Sequence, residues 1–265
     1  MELGVKGKIA VVSGSTAGIG LAIGSALAAE GAHVVLNGRT EERVTAAVNS
    51  LLQRHEGGAQ VHGVAADLGK AEGVAKLVRQ IPEADILINN LGIFEVKPFL
   101  DIPDSDWLRF FEVNVMSGVR LTRHYLPGMQ RKNWGRVIFI SSESAQQIPS
   151  EMVHYGMTKT AQVAIARGVA QTVAGTGITV NSVLVGPTAS EGVGTFVKDF
   201  ARQQGITEAE FEKQFFVNIR PSSLLKRFET PEEVGSVVTF IASAQAAVIN
   251  GAAIRAEGGV VASIL

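Results

Sequence analysis

The chain has 265 residues, 46% of them apolar and 18% charged, with a formal net charge of −1 and no cysteine. That length suits one large α/β domain or two small ones with a sizeable core, and the composition excludes a disordered chain. The near-neutral charge removes any broad electrostatic case for nucleic acid or an anionic membrane, and the missing cysteine rules out disulfides, a thiol nucleophile and thiolate metal sites.

The opening segment MELGVKGK lacks the long apolar stretch of a signal peptide. Five histidines, His33, His55, His62, His124 and His154, show no paired-ligand spacing, so no metal site is expected. The apolar stretch 237–254 is interrupted by Thr239, Ser243, Gln245 and Asn250, and reads as helix, turn and strand rather than a membrane span. A cytoplasmic protein without nucleic-acid or membrane partners is the expectation.

Short apolar runs alternate with helical segments along the chain. Strands are predicted over 9–12, 33–36, 61–65, 85–89, 137–140, 178–183 and 253–255, and early helices over 19–30 and 41–55. Near-continuous apolar strands point to a parallel sheet covered on both faces. Their alternation with helices predicts a single doubly wound α/β domain of about seven strands, a Rossmann fold spanning 1–265. The segment 188–227 breaks the rhythm and carries Phe196, Phe200, Phe211, Phe215 and Phe216 among charged residues. It reads either as an ordinary amphipathic insertion or as a lid over a pocket.

After the first strand, Ser13, Gly14, Ser15, Thr16, Ala17, Gly18, Ile19 and Gly20 form a glycine-rich turn that opens the first helix. Glycine permits a tight turn and close approach of phosphate, and the helix start offers unpaired N–H groups to a pyrophosphate. The spacing G-x-x-x-G-x-G differs from the usual dinucleotide G-x-G-x-x-G. The second strand ends in Asn37-Gly38-Arg39-Thr40, with no acid before Glu41 to receive a ribose hydroxyl. Arg39 is suited to clamp a 2′-phosphate, which favours NADP(H) over NAD(H). The other reading has Arg39 as a solvated loop cation and Asn37 on the ribose of NAD. Asp67 and Leu68 follow the third strand and are placed to meet the adenine, although Asp67 serves equally well as a helix N-cap.

Tyr155 and Lys159 lie four residues apart, on one face of a helix. A lysine charge near a phenol favours the phenolate and lowers a pKa that is ordinarily about 10. A phenol so tuned passes a proton to or from a carbonyl oxygen near neutral pH. Taken alone, the spacing also fits two solvated neighbours.

In this order the motifs resemble the classical short-chain dehydrogenase/reductase family, over essentially the whole chain. Residues 13–20 are similar to its T-G-x-x-x-G-x-G turn, with Ser13 replacing Thr. Asn89-Asn90-Leu91-Gly92 resembles its N-N-A-G segment, with Leu91 in place of Ala. The resemblance assigns Asn114, Ser142, Tyr155 and Lys159 as the catalytic set, Ser142 standing thirteen positions before Tyr155. Residues 181–188 resemble the N-x-x-x-P-G segment that holds the nicotinamide, but here Val185 replaces Pro and Pro187 follows Gly186. Gly186 and Thr188, with Ser190 beyond them, are the implied contacts at that end. Asn90, Gly92, Tyr155 and Lys159 complete the implied cofactor set.

The family implies hydride transfer between NADP(H) and a small carbonyl or secondary alcohol substrate. Tyr155 is expected to carry the proton, and Lys159 to tune it and hold the nicotinamide ribose. Ser142 is expected to bind the oxyanion, and Asn114 to position a water beside Lys159. Phe94, Glu95, Gln146, Gln147 and the Phe-rich insertion are candidate pocket residues, while His154 is expected to pack or rim the pocket. A homo-oligomer, dimer or tetramer, follows from the resemblance only. Two rival classes remain: a non-redox lyase or isomerase of the same fold, and a nucleotide-sensing regulator.

Overall fold

The computed structural model describes residues 2–55 and 59–264, without the side chains of residues 195 and 196. The aromatic ring expected at Phe196 therefore lies outside the described residues. In chain order the elements are β1 (Ile9–Val12), α1 (Gly18–Ala29), β2 (His33–Gly38), α2 (Glu41–Arg54), β3 (Gln60–Ala65), α3 (Ala71–Gln80) and β4 (Ile86–Asn89). Then come α4 (Asp104–Phe111), a π-helical turn over Glu112–Met116, α5 (Ser117–Lys132), β5 (Gly135–Ser142) and α6 (Val153–Thr172). The last part holds β6 (Ile178–Val185), α7 (Glu191–Gln204), α8 (Glu208–Gln214), α9 (Pro231–Ile241) and β7 (Ala253–Ala256).

All seven strands pair in parallel, in the order β3-β2-β1-β4-β5-β6-β7. The Rossmann expectation is met. The order in which strands are added reverses between β1 and β4, which opens a crevice at the carboxyl ends of those strands. Alternate residues feed two cores. Val12, Ile88, Ile138 and Val183 pack under Ile23, Leu27 and Val238, whereas Val11, Leu87, Val137 and Val180 pack under Leu77, Leu121 and Met129. β4, β5 and β6 are buried along their whole length, while β3 alternates and β7 is half-exposed, as befits edge strands.

Two strands run further than their apolar runs predict. β2 continues through Asn37 and Gly38, and β5 through Ser141 and Ser142. Their polar side chains are satisfied within the fold. The Ser141 hydroxyl donates to the Lys159 carbonyl at 2.9 Å, and the Asn37 amide donates to the carbonyls of Val64 and Ala66. Burial then costs little, and the ladder carries on.

Helix ends are set by local chemistry. Thr40 accepts from the Arg43 N–H to start α2, and Thr230 and Glu233 form a capping box around Pro231 to start α9. Asn133, at φ 49°, ends α5 in the left-handed conformation. Among the described residues no helix is long and apolar enough to cross a membrane.

Ser13 ties the two halves of the sheet together just above the crevice. Its buried hydroxyl accepts from the N–H groups of Asn90, at 2.9 Å, and Leu91, at 3.0 Å. Removing it leaves the Leu91 N–H without this acceptor and the Asn90 N–H with only the Ile88 carbonyl, at 3.1 Å. Ser13→Ala is expected to lower stability by about 1–3 kcal/mol. Chemical denaturation checks this as an earlier midpoint at unchanged slope.

Candidate active site

The turn after β1 forms a concave backbone surface. Gly14 and Gly18 sit at φ 59° and 53°, where a side chain is strained. A Cβ at Gly20 would come within 2.5 Å of Asn90 Nδ2 and 2.6 Å of the Gly14 carbonyl, so only glycine fits there. Asn90 holds the turn by donating Nδ2 to the carbonyls of Ser13 and Gly14. The N-cap of α1, Ala17, supplies no side-chain cap, and its first turn contains no acid. The leading N–H groups of α1 thus remain available to an anion. A dinucleotide pyrophosphate fits this cradle.

Ser15 and Thr16 serve the turn's shape. Ser15 is buried, donates to the Val12 carbonyl at 2.7 Å and accepts from the Asn37 N–H at 2.9 Å. Thr16 packs against the place a Cβ would occupy at Gly38. Ile19 is half-buried and faces the central cavity.

At the end of β2, Asn37 is not free to meet a ribose. Its Oδ1 accepts from the Gly14 N–H at 3.2 Å, and both amide hydrogens go to the strand-β3 side. In this way Asn37 pins the glycine turn to the sheet. Arg39 is exposed at the crevice edge and makes no hydrogen bond or ion pair among the described residues. Asp67 does not cap α3, whose N-cap is Lys70; its Oδ1 instead accepts from the Gly69 N–H at 3.2 Å. Leu68 is fully buried in the second core, so only its backbone faces outward chemistry.

The four catalytic candidates converge. The π-helical turn at Asn114 bends the passage from α4 to α5. Asn114 Oδ1 accepts from the Ile93 N–H at 2.8 Å, while Nδ2 donates to the Ile93 carbonyl and to Thr158 Oγ1, both at 3.0 Å. Its own carbonyl accepts from Gln162 at 2.6 Å. Asn114 thus binds the loop after β4 to α6. Close beside it, a Cβ at Gly92 would meet Lys159 Nζ at 3.5 Å and Asn114 Oδ1 at 3.6 Å. Ser142 ends β5, and Tyr155 and Lys159 project from the first turns of α6 toward it. Lys159 Nζ donates to the Ile140 carbonyl at 2.9 Å and lies 5.5 Å from the centre of the Tyr155 ring.

Electrostatics here differ from the expectation that Lys159 lowers the Tyr155 pKa. Burial pushes the Tyr155 hydroxyl well above its ordinary value, and the Glu143 charge adds to this; the Ser142 hydrogen bond and Arg220 oppose it. Burial likewise pulls Lys159 down to about 8, against the pull of Glu143. Desolvation outweighs the opposing pull of Ser142 and Arg220, and the phenol stays protonated at neutral pH.

Gly186 and Thr188 follow β6. Thr188 is buried, donates its hydroxyl to the Gly186 carbonyl at 3.0 Å and bridges to Glu229. Ser190 caps α7 and covers the glycine turn: a Cβ at Gly18 would lie 3.0 Å from Ser190 Cβ. Next to it, Glu191 pairs with Arg43 of α2 at 2.9 Å, across the crevice. Behind Gly186 sits Glu229, whose carboxyl burial pushes up to about 7.

One cavity of about 370 Å³ joins these pieces. Phe94, Phe200, Phe215 and Phe228 supply much of its apolar wall. Glu95 is bound to Lys97 and Arg109 outside it, Gln146 and Gln147 are exposed, and Phe211 and Phe216 are buried inside the insertion. Those pocket assignments are corrected. His154 is a packing residue, stacked 4.0 Å from Phe110. Sequence reasoning missed Glu143 and Arg220, a buried pair at 3.0 Å that lines the cavity beside Ser142. Glu143 carried a signal, a carboxylate among apolar and small residues at a strand end. Arg220 carried none, because 77 positions separate the partners.

Comparison with known proteins places this geometry among relatives. The family model described as short chain dehydrogenase matches residues 8–201. The chain is 49% identical over 264 residues to YvaG of Bacillus subtilis, an uncharacterized oxidoreductase, with all of both chains covered. It is 34% identical over 263 residues to a D-beta-hydroxybutyrate dehydrogenase of Cupriavidus necator, covering 97% of this chain and 99% of the other. Among solved structures, L-sorbose reductase from Gluconobacter frateurii, complexed with NADPH and L-sorbose, superposes with a TM-score of 0.94 at 31% identity over the whole of both chains.

The raised Glu229 carboxyl makes stability depend on pH. Its folded pKa lies above the ordinary 4.5, so the folded protein holds an extra proton between that value and about 7. The associated stability is complete below the ordinary carboxylate range and is lost as pH rises through 7. Glu229→Gln should flatten this dependence. Melting temperatures at pH 5 and pH 8 check it: the fall between them should be smaller in the variant than in the wild type.

Proposed function

Because the chain belongs to the short-chain dehydrogenase family and is an oxidoreductase of alcohol and carbonyl groups, we propose that it transfers a hydride between NADP(H) and a carbonyl or secondary alcohol, with Tyr155 as the proton carrier. The observation that carries this reading is the meeting of Ser142, Tyr155 and Lys159 in one cavity with Gly92, Gly186 and Thr188. The turn at Gly14–Gly20 would hold the pyrophosphate, with Arg39 at the adenosine end and Lys159, Gly186 and Thr188 at the other. The bound nicotinamide supplies or accepts the hydride.

The chain's own residues do the rest. Tyr155, kept protonated by burial, holds a proton that a carbonyl oxygen can take up. Ser142 offers a hydrogen bond to the same oxygen, strongest when charge develops there. Lys159 holds its charge under the Tyr155 ring and beside Gly92. Asn114 keeps the Gly92–Phe94 loop and α6 in register so that these groups stay aligned. The segment 188–227 acts as a lid, excluding water with its aromatic face. We assign the protein to the cytoplasm as a homodimer or homotetramer, on family grounds.

Preference for NADP(H) rests on Arg39, since Asn37 is committed to the turn. The two relatives act on different chemistries by name, a hydroxy acid and a sugar, and leave the substrate class open.

Tyr155→Phe is expected to lose about 100-fold or more in turnover while binding NADPH nearly as the wild type does. Single-turnover rates alongside fluorescence titration check it, and wild-type rates in the variant would refute the proton role. Arg39→Ala should weaken NADPH far more than NADH, by about 1.5–3 kcal/mol for a lost charged hydrogen bond. Equal losses for both cofactors, measured by titration, would remove the phosphate clamp.

A further inference from the structure

The Ser142 hydroxyl has one hydrogen and two neighbours that compete for it: Ser142 Oγ is hydrogen-bonded to Glu143 Oε2 and to Tyr155, and it accepts from the Ser144 N–H at 3.1 Å. Glu143 is only 4% exposed. Its second oxygen accepts from Arg220 Nε at 3.0 Å, and Arg220 Nη1 reaches Glu151 at 3.4 Å and the Ile219 carbonyl at 3.1 Å. With Lys159 this cluster supplies the charge of a cavity whose apolar wall includes Ile93, Phe94, Val96, Met152 and Phe215.

For Ser142 to donate to a substrate oxygen, it must release Glu143. A plain ketone brings no hydrogen in exchange, and a buried carboxylate oxygen is then left short of a donor. A substrate bearing a hydroxyl on the carbon next to the carbonyl brings that hydrogen itself. Its carbonyl oxygen accepts from Ser142 and Tyr155, and its hydroxyl donates to Glu143 Oε2. Charge argues in the same direction. Two carboxylates, Glu143 and Glu151, and two cations, Arg220 and Lys159, line the cavity, so no surplus cation awaits an anionic substrate, and the carboxylate beside Ser142 favours a neutral hydrogen-bond donor.

We propose that Glu143, held by Arg220, is the specificity-determining residue of this site, and that it selects neutral α-hydroxy ketones (vicinal diols in the reverse direction) over plain ketones and keto acids. This rests on the oxidoreductase reading above. The hydroxyl group is recognised by Glu143, and the rest of the substrate lies against the aromatic wall. Sites that hydrogen-bond a substrate hydroxyl reject analogues lacking it strongly, because their own buried polar groups are then unpaired.

The test compares 1-hydroxy-2-butanone, 2-butanone and acetoacetate with NADPH. In the wild type, kcat/KM for the hydroxy ketone should exceed that for 2-butanone by at least about tenfold, with acetoacetate poorest. In Glu143→Gln the amide oxygen faces Arg220 and its hydrogens face Ser142, so no acceptor remains for the substrate hydroxyl. The ratio of the two ketones should fall toward one, with most of the change in KM. A calorimetric titration of the NADP⁺-loaded wild type, in which no turnover occurs, should give tighter binding of the hydroxy ketone. Equal wild-type values for the two ketones, a preference for acetoacetate, or an unchanged ratio in Glu143→Gln overturns the proposal. Those outcomes leave the oxidoreductase reading standing. Reduction of no carbonyl compound at all overturns that reading, and the specificity with it.

Discussion

The crevice depends on a close approach between two backbones that are distant in sequence. The turn after β1 and the loop after β4 meet where the strand order reverses, and no side chain fits between them at Gly20. Ser13 and Asn90 convert that proximity into four hydrogen bonds, two accepted by the Ser13 hydroxyl and two donated by the Asn90 amide. The same arrangement shapes the phosphate cradle and aims the loop carrying Gly92 and Phe94 at the cavity. Asn37 adds a third anchor from β2. The anion-binding surface is therefore held by side chains that do not themselves touch the anion.

A second layer of positioning starts at the π-helical turn. Asn114 uses its side chain on Ile93 and Thr158 and its carbonyl on Gln162. One residue thus joins the loop after β4 to two positions on α6, the helix that bears Tyr155 and Lys159. Alignment of the reacting groups is a property of this junction as much as of the reacting groups themselves.

Much of this was legible in the sequence for definite reasons. The parallel sheet announced itself through unbroken apolar runs such as 137–140 and 178–183, because both faces of those strands are covered. The glycine turn and the Tyr155–Lys159 spacing are local, and local geometry follows from local sequence. The ends of β2 and β5 were shorter in the reading because Asn37, Ser141 and Ser142 look like loop residues until their partners are known. The bonds of Asn37 to Gly14, Val64 and Ala66, and that of Asp67 to Gly69, were illegible for a related reason: the backbone groups they hold meet them only in the fold. The tuning of Tyr155 was misjudged because spacing reports which charge is near and says nothing of how much water is removed. Glu143 and Arg220 were invisible as a pair, since only the fold brings them together.

The segment from 188 to 227 carries its own apolar nucleus of Val197, Ala201 and Phe211, supported by Phe215 and Phe228, and that nucleus shares no member with the two cores that clothe the sheet. It is tied to the body by the Arg220–Glu143 and Arg43–Glu191 pairs and by the Leu224 and Leu225 N–H groups, which both donate to the Gly258 carbonyl. Phe200, Phe215 and Phe228 line the cavity from outside the two cores of the sheet, so its wall can change without disturbing the contacts that shape the turn after β1.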